Sequence, residues 1–254
     1  MKVLVACEYS GIVRDAFENA GWDAWSCDLL PTESEQTTAS GKHIIDDVEF
    51  LLLYVGNYEK RVEQFAFFGE YDGYDAQREQ AKKVPKEWDL LIGHPPCTYL
   101  SFAYTGKERY SNNRLQQKIY AYQFFLDLWN APIEHICLEN PLGYIHSGLL
   151  PCTQIVEPYF FGDPYKKKTC LWLKNLPILT YEISGLFGKG TKVIPTHTLI
   201  NCTPKSRRKL PAILQPFSTG KEKAKFHAGI AGAMAEQWTE FFKTIEKVEQ
   251  IKNQ

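Results

Sequence analysis

The strongest constraint on the fold is the opening of the chain. Lys2-Val3-Leu4-Val5-Ala6 is a short apolar run of the kind found in strands buried on both faces of a parallel sheet. A turn follows at Cys7-Glu8-Tyr9-Ser10-Gly11, then helical periodicity from Ile12 to Ala20, a stop at Gly21, and a second short strand over 23–27 that ends at Asp28. A strand, turn, helix and strand in that order open a doubly wound α/β sheet. The pattern recurs downstream. Ile44-Ile45 ends a short strand at Asp46-Asp47, and Trp88 to Gly93 is a strand running into His94-Pro95-Pro96-Cys97. Arg114 to Asn130 is an amphipathic helix, and Ile133 to Leu138 is a strand that runs into Glu139-Asn140-Pro141. A further strand spans Thr169 to Leu173, and a terminal helix spans Gly229 to Ile251. Residues 54–87, crowded with aromatic and charged side chains, read as an insertion. Residues 176–226, rich in Pro, Gly, Lys and Thr, carry little period of any kind.

The chain of 254 residues is long enough for one full α/β domain, and 44% apolar with 23% charged residues is ordinary for a soluble protein. No stretch is apolar enough to span a bilayer, and the N-terminus turns acidic too early for a secretory signal, so a cytoplasmic location is expected. The seven cysteines (7, 27, 97, 137, 152, 170, 202) are scattered and never spaced C-x-x-C. That spacing predicts neither a disulfide framework nor a metal site, and most of them read as small buried hydrophobes. A net charge of −1 gives no overall signature of a polyanion binder. Lysine-rich patches at 166–168, 205–209 and 221–225 are either solvated surface or a local footprint for one.

Ligands of open α/β sheets bind beyond the carboxyl ends of the strands, and three unusual loops (7–11, 94–101 and 139–145) follow strands directly. The first lacks G-x-G-x-x-G, which disfavours a dinucleotide; with Asp28 placed to meet ribose hydroxyls, it fits a nucleoside ligand without a tightly held pyrophosphate. An ordinary turn, with Asp28 solvated or capping a helix, gives the same pattern. In the second loop Pro95-Pro96 stiffens the chain and fixes where Cys97 points. A cysteine held so is either a nucleophile or an inert thiol in a Pro-rich turn. In the third, Glu139 ends a buried strand, where it either pairs with a lysine or acts on a substrate ring nitrogen as partner to the cysteine.

With these residues in place the chain resembles the DNA cytosine carbon-5 methyltransferases, especially compact phage-type members, from Val3 to about Leu176 and again over 226–238. Gly93-His94-Pro95-Pro96-Cys97-Thr98-Tyr99-Leu100-Ser101 is similar to the family's Pro-Cys-x-x-x-Ser nucleophile loop, and Leu138-Glu139-Asn140-Pro141 to its Glu-Asn-Val motif. Glu8 to Arg14 stands in the place of the cofactor loop, Asp28 in that of the ribose acid, and Asp46-Asp47-Val48 in that of the adenine contact. Phe226 to Met234 resembles the segment that packs over the cofactor. The chain departs from the family where Tyr9-Ser10-Gly11-Ile12 replaces a glycine-richer loop, and where Lys167 and Thr169 stand at the two arginines of a Gln-x-Arg-x-Arg motif.

The resemblance implies a Rossmann-like, mostly parallel sheet of the class I S-adenosylmethionine-dependent kind, built from 1–176 plus 226–254, with 177–225 as a reduced recognition segment. It implies S-adenosylmethionine as cofactor, no metal, and DNA as partner, double-stranded with a flipped base. Cys97, Glu139, Ser101 and Asn140 would form the catalytic centre. Cys7, Glu8, Tyr9, Ser10, Gly11, Asp28, Asp47, Val48 and Pro95 would surround the cofactor, and Pro96, Lys167, Thr169, Arg207 and Arg208 would meet the substrate. A methyltransferase on another pyrimidine (RNA, uracil or a free nucleotide) and a non-catalytic nucleotide- or DNA-binding relative are the alternatives. The glycines and prolines of the 181–225 segment leave little room for a rigid reading head, which predicts a short, relaxed target site.

Overall fold

The computed structural model describes residues 1–48, 51, 85, 87–102, 112–163, 165–181, 197–198 and 226–252. The insertion at 54–87 and the segment 177–225 fall mostly outside these residues, as do Cys202, Arg207 and Arg208.

The strands β1 (Lys2–Ala6), β2 (Asp23–Asp28), β3 (His43–Ile45), β4 (Leu90–Gly93), β5 (His135–Pro141), β6 (Gln154–Val156) and β8 (Thr169–Lys174) form one sheet. Its order is β3-β2-β1-β4-β5-β8-β6, and a separate two-residue pairing joins β7 (Tyr165–Lys166) to β9 (His197–Thr198). The first five strands are parallel, and β8 runs antiparallel to both β5 and β6. The chain steps outward from β1 through β2 to β3, then returns to the other side of β1 with β4. That reversal is the switch point where a doubly wound sheet opens a crevice between its loops. The expected Rossmann-like, mostly parallel α/β architecture is the observed one.

Alternation along the strands divides the core into two layers. Leu4, Leu91, Ile136 and Leu138 face helix α3 (Asn112–Trp129) through Phe125 and Leu128. Val3, Val5, Leu90, Ile92 and Cys137 face helices α1 (Ile12–Asn19) and α4 (Ala228–Lys252). The terminal helix is locked onto α1 by aromatic packing. Trp22 meets Phe17 and Phe242 edge-on at 5.3 and 5.0 Å, and its indole N–H donates to Thr239 Oγ1 at 2.7 Å. Burying rings of this size contributes about 1.5–3 kcal/mol each, so a segment nearly the length of the domain away in sequence becomes part of the first βαβ unit. Among the described residues no helix is long and apolar enough to cross a membrane.

Two elements escape a reading of periodicity. Helix α2 (Glu35–Ser40) is short and exists because the Ser34 side chain caps it, accepting from the Thr37 N–H at 3.1 Å. Strand β5 extends through Glu139 and Asn140 to Pro141, where the sequence suggests a loop, because β8 runs beside it with Thr169 opposite Pro141. Glu139 and Asn140 are therefore strand residues. They point to opposite faces of the sheet, as the two-residue repeat of a strand requires.

Candidate active site

The loops after β1, β4 and β5 meet at one edge of the sheet. The His94 N–H donates to the Ala6 carbonyl at 3.0 Å, which ties the start of the second loop to the end of β1. Cys7, Glu8, Tyr9 and Ser10 line a crevice together with His94 and Phe226. Cys7 and Gly11 both adopt left-handed backbone, with φ of 59° and 75°. A Cβ on Gly11 would lie 2.4 Å from Ser34 Cβ, so only glycine fits both the angle and the space.

Glu8 has an occupation of its own. Its carboxylate is buried and accepts the Val13 N–H at 2.7 Å and the Arg14 N–H at 3.1 Å, with the Ser10 hydroxyl at 3.2 Å. It thus closes the N-terminus of α1 from inside, and those two N–H groups are spent before any ligand arrives. Burial pushes its carboxyl above the usual carboxylate range, against the pull of His94 and of these bonds. Asp28 sits at the end of β2 with one oxygen accepting the Leu30 N–H at 2.9 Å; burial raises its carboxyl too, against that bond and the charge of His43. Nearby, the Asp46 N–H donates to the Asp28 carbonyl at 3.1 Å, and of the two residues that follow, Asp47 is exposed and Val48 buried.

Beyond β4 the chain runs through buried Pro95 and exposed Pro96 to Cys97, which is exposed where the other described cysteines are half-buried or buried. The turn is held from two directions. The N–H groups of Leu100 and Ser101 donate back to the Cys97 carbonyl at 3.1 and 3.0 Å, and Asn140 Nδ2 donates to the Pro95 carbonyl at 2.7 Å. Ser101 also bridges to Gly143, where a Cβ would lie 2.4 Å from the Leu100 carbonyl oxygen. The Cys97 thiol is pushed above its ordinary range by partial desolvation and by the Glu139 carboxylate, while Lys167 pulls it back.

Glu139, near the end of β5, reaches His94 beside this crevice. It is buried, its Oε2 accepts from His94 Nδ1 at 3.4 Å, and its Oε1 has no hydrogen-bond partner among the described residues. Burial alone would raise its carboxyl. The His94 hydrogen bond and the charges of Lys167, His94 and His227 outweigh burial and hold it below the usual range. Lys167 follows β7, and its carbonyl accepts from the buried Thr169 hydroxyl at 3.2 Å. Burial holds His227 down to about 4, with Lys167 adding to the effect, so its ring is neutral near pH 7.

The structure thus gathers Cys7, Tyr9, Ser10, Pro95, Cys97, Ser101, Glu139, Asn140 and Lys167 around one edge, with Asp28 and Asp47 along its β2–β3 side. Three residues with a part in the crevice stand outside the candidate site residues, although the resemblance sets the segment 226–234 over the cofactor. His94 bonds Glu139, Phe226 packs on the His94 ring at 4.7 Å between centroids, and His227 adds its field to Glu139. The one signal for His94 is its place between a strand and a Pro-Pro pair. For Phe226 and His227 the one signal is that resemblance, because only the fold-back of α4 brings them there.

No family model matches the chain, and no curated protein matches it. Among solved structures it is similar to a protein named as a DNA modification methyltransferase encoded within a prophage (E. coli), at 16% identity over 68% of this chain and 46% of that one, with a TM-score of 0.38. It is similar also to the S. pombe Dnmt2 methyltransferase, at 16% identity over 68% of this chain and 48% of that one, with a TM-score of 0.36. The chain spans about half the length of these two structures. Likeness at this level leaves the functional argument to the residues described above.

Proposed function

We propose that the protein is an S-adenosylmethionine-dependent methyltransferase acting on carbon 5 of cytosine in DNA through a covalent adduct at Cys97. The observation that carries this reading is the pairing of an exposed cysteine, fixed beyond β4, with a buried strand-end glutamate that keeps one oxygen without a partner among the described residues. A pyrimidine lying between them meets both demands of such chemistry, a nucleophile at one ring carbon and a polar group at a ring nitrogen.

The opposed shifts of the two groups suggest the proton's route. At rest Cys97 keeps its proton and Glu139 is ionised. As the sulfur bonds to carbon 6 and the carbon 5–carbon 6 double bond opens, the thiol proton passes to ring N3, and the Glu139 carboxylate accepts a hydrogen bond from the new N3–H. Carbon 5 gains the electron density that takes the methyl group. Loss of the carbon 5 proton to a solvent base then expels the Cys97 thiolate, which takes back the proton from N3. The bound cofactor would supply an electrophilic methyl group on a sulfonium. Its fit rests on chemistry: Tyr9 and Phe226 offer aromatic surface to a cation and an adenine, and Asp28 offers an acceptor to a ribose diol.

The test is incubation with tritiated S-adenosylmethionine and separate pools of DNA, RNA and free nucleotides. Label in 5-methylcytosine of DNA, and a covalent complex with 5-fluorocytosine DNA that maps to Cys97, supports the proposal. Label in another pool moves the substrate class, and cofactor binding without turnover in any pool refutes the enzyme.

A further inference from the structure

On the α3 side of the sheet, away from Glu139, three segments bring together an imidazole and two thiols. His146 lies in the π-helical turn Ile145–Leu149 that follows β5, Cys152 precedes β6, and Cys170 is the second residue of β8. One ligand atom from each lies within 4.8 Å of the other two. Ligand bonds of about 2.1–2.3 Å at tetrahedral angles set neighbouring donor atoms roughly 3.5–3.8 Å apart, so small side-chain adjustments close this triangle around one ion.

The Cys152 backbone N–H donates to His146 Nδ1 at 3.1 Å, so the Nδ1 lone pair must leave this bond before an ion can take it. The three segments are already held in register. The Leu150 N–H closes the π-turn onto the Ile145 carbonyl at 2.8 Å, the Thr153 N–H donates to the Leu171 carbonyl at 2.9 Å, and Trp172 Nε1 donates to the Leu150 carbonyl at 2.8 Å. Cys170 is fully buried. A lone thiolate there would be costly. Two thiolates with a neutral imidazole and a divalent ion carry no net charge, which removes that cost. Two sulfurs and one nitrogen favour zinc over calcium or magnesium, which take oxygen ligands.

We propose that His146, Cys152 and Cys170 form a zinc site, with a water molecule as fourth ligand. Cys170 lies opposite Asn140 in the β5–β8 ladder, and Asn140 holds the Cys97 turn through Pro95. The ion would therefore brace the strand that positions the nucleophile, without touching substrate. The site stands on this cluster alone and is independent of the function proposed above.

The test is the metal content of the full-length purified protein by plasma mass spectrometry after gel filtration, alongside Cys152→Ser and His146→Gln. Roughly one zinc per chain in the unaltered protein, falling at least tenfold in both variants, is the expected result. Stoichiometric zinc added after chelation should raise the melting temperature of the unaltered protein and leave that of His146→Gln unmoved. His146 is only partly buried, and circular dichroism of that variant checks that its fold is intact. Absence of zinc from the purified protein together with no thermal response to added zinc, zinc retained in both variants, or a mass two hydrogens light from a Cys152–Cys170 disulfide would each overturn the proposal.

Discussion

Asn140→Ala isolates the contribution of positioning from that of chemistry. The side chain is almost wholly buried, and its Nδ2 donates to the Pro95 carbonyl at 2.7 Å, two residues before Cys97. Removing a buried donor leaves the carbonyl without that bond, at about 1–3 kcal/mol. For a chain of this size that is a loss of roughly 2–10 °C in melting temperature. The larger effect falls on turnover, because the Pro95-Pro96-Cys97 turn loses its tie to β5. A displacement of about 1 Å at a nucleophile costs on the order of a hundredfold in rate. Cofactor-product binding should be unchanged, since Asn140 points to the face opposite Glu139. Asn140→Asp is the informative companion: it is nearly isosteric but sets a carboxylate oxygen against the carbonyl, so it should be no better than alanine. The assays are initial rates of tritium transfer, calorimetric affinity for S-adenosylhomocysteine, and thermal melts. Turnover within about twofold of the unaltered protein in Asn140→Ala, with the fold intact, would refute the claim that this bond aims Cys97.

Other perturbations bear on three carboxylates around the crevice. Glu139→Gln removes the charge that raises the Cys97 thiol, so alkylation of Cys97 by iodoacetamide at pH 8 should speed up by roughly two- to tenfold, while methyl transfer falls by on the order of a hundredfold or more; both rates falling together would point to a damaged fold. Glu8→Ala leaves the Val13 and Arg14 N–H groups without their cap and should cost about 2–4 kcal/mol of stability in chemical denaturation. Because burial raises the folded-state carboxyl of Glu8, the folded protein binds the extra proton between the unfolded and folded values. The cost of the substitution should therefore be greatest in acid and shrink as pH rises through that window. Glu139, whose carboxyl is lowered, gives the reverse: its contribution is present above the unfolded value and is lost as pH falls through the folded one. Asp28→Ala should weaken cofactor binding about tenfold or more in calorimetry while leaving the melting temperature within roughly 2 °C. An unchanged affinity would remove Asp28 from the cofactor crevice.

The local parts of this molecule are written in its sequence because their causes are local. An apolar run too short for a helix makes β1, two prolines stiffen the approach to Cys97, and a helical repeat that ends at a glycine makes α1. The order of these parts also foretells a doubly wound sheet, since short connections leave few other ways to bury such strands. Which groups meet is another matter, because it depends on pairings between distant segments. The β8 ladder makes Glu139 and Asn140 strand residues, so that one faces the crevice and the other braces the nucleophile turn. The fold-back of α4 sets Phe226 against His94 and brings the His227 ring near Glu139. Glu8 stands in the cofactor loop by sequence, yet the geometry of the turn spends its carboxylate on the helix beside it. The cluster of His146, Cys152 and Cys170 has no motif spacing, because three separate segments supply one donor each. Only packing brings them within reach of one another.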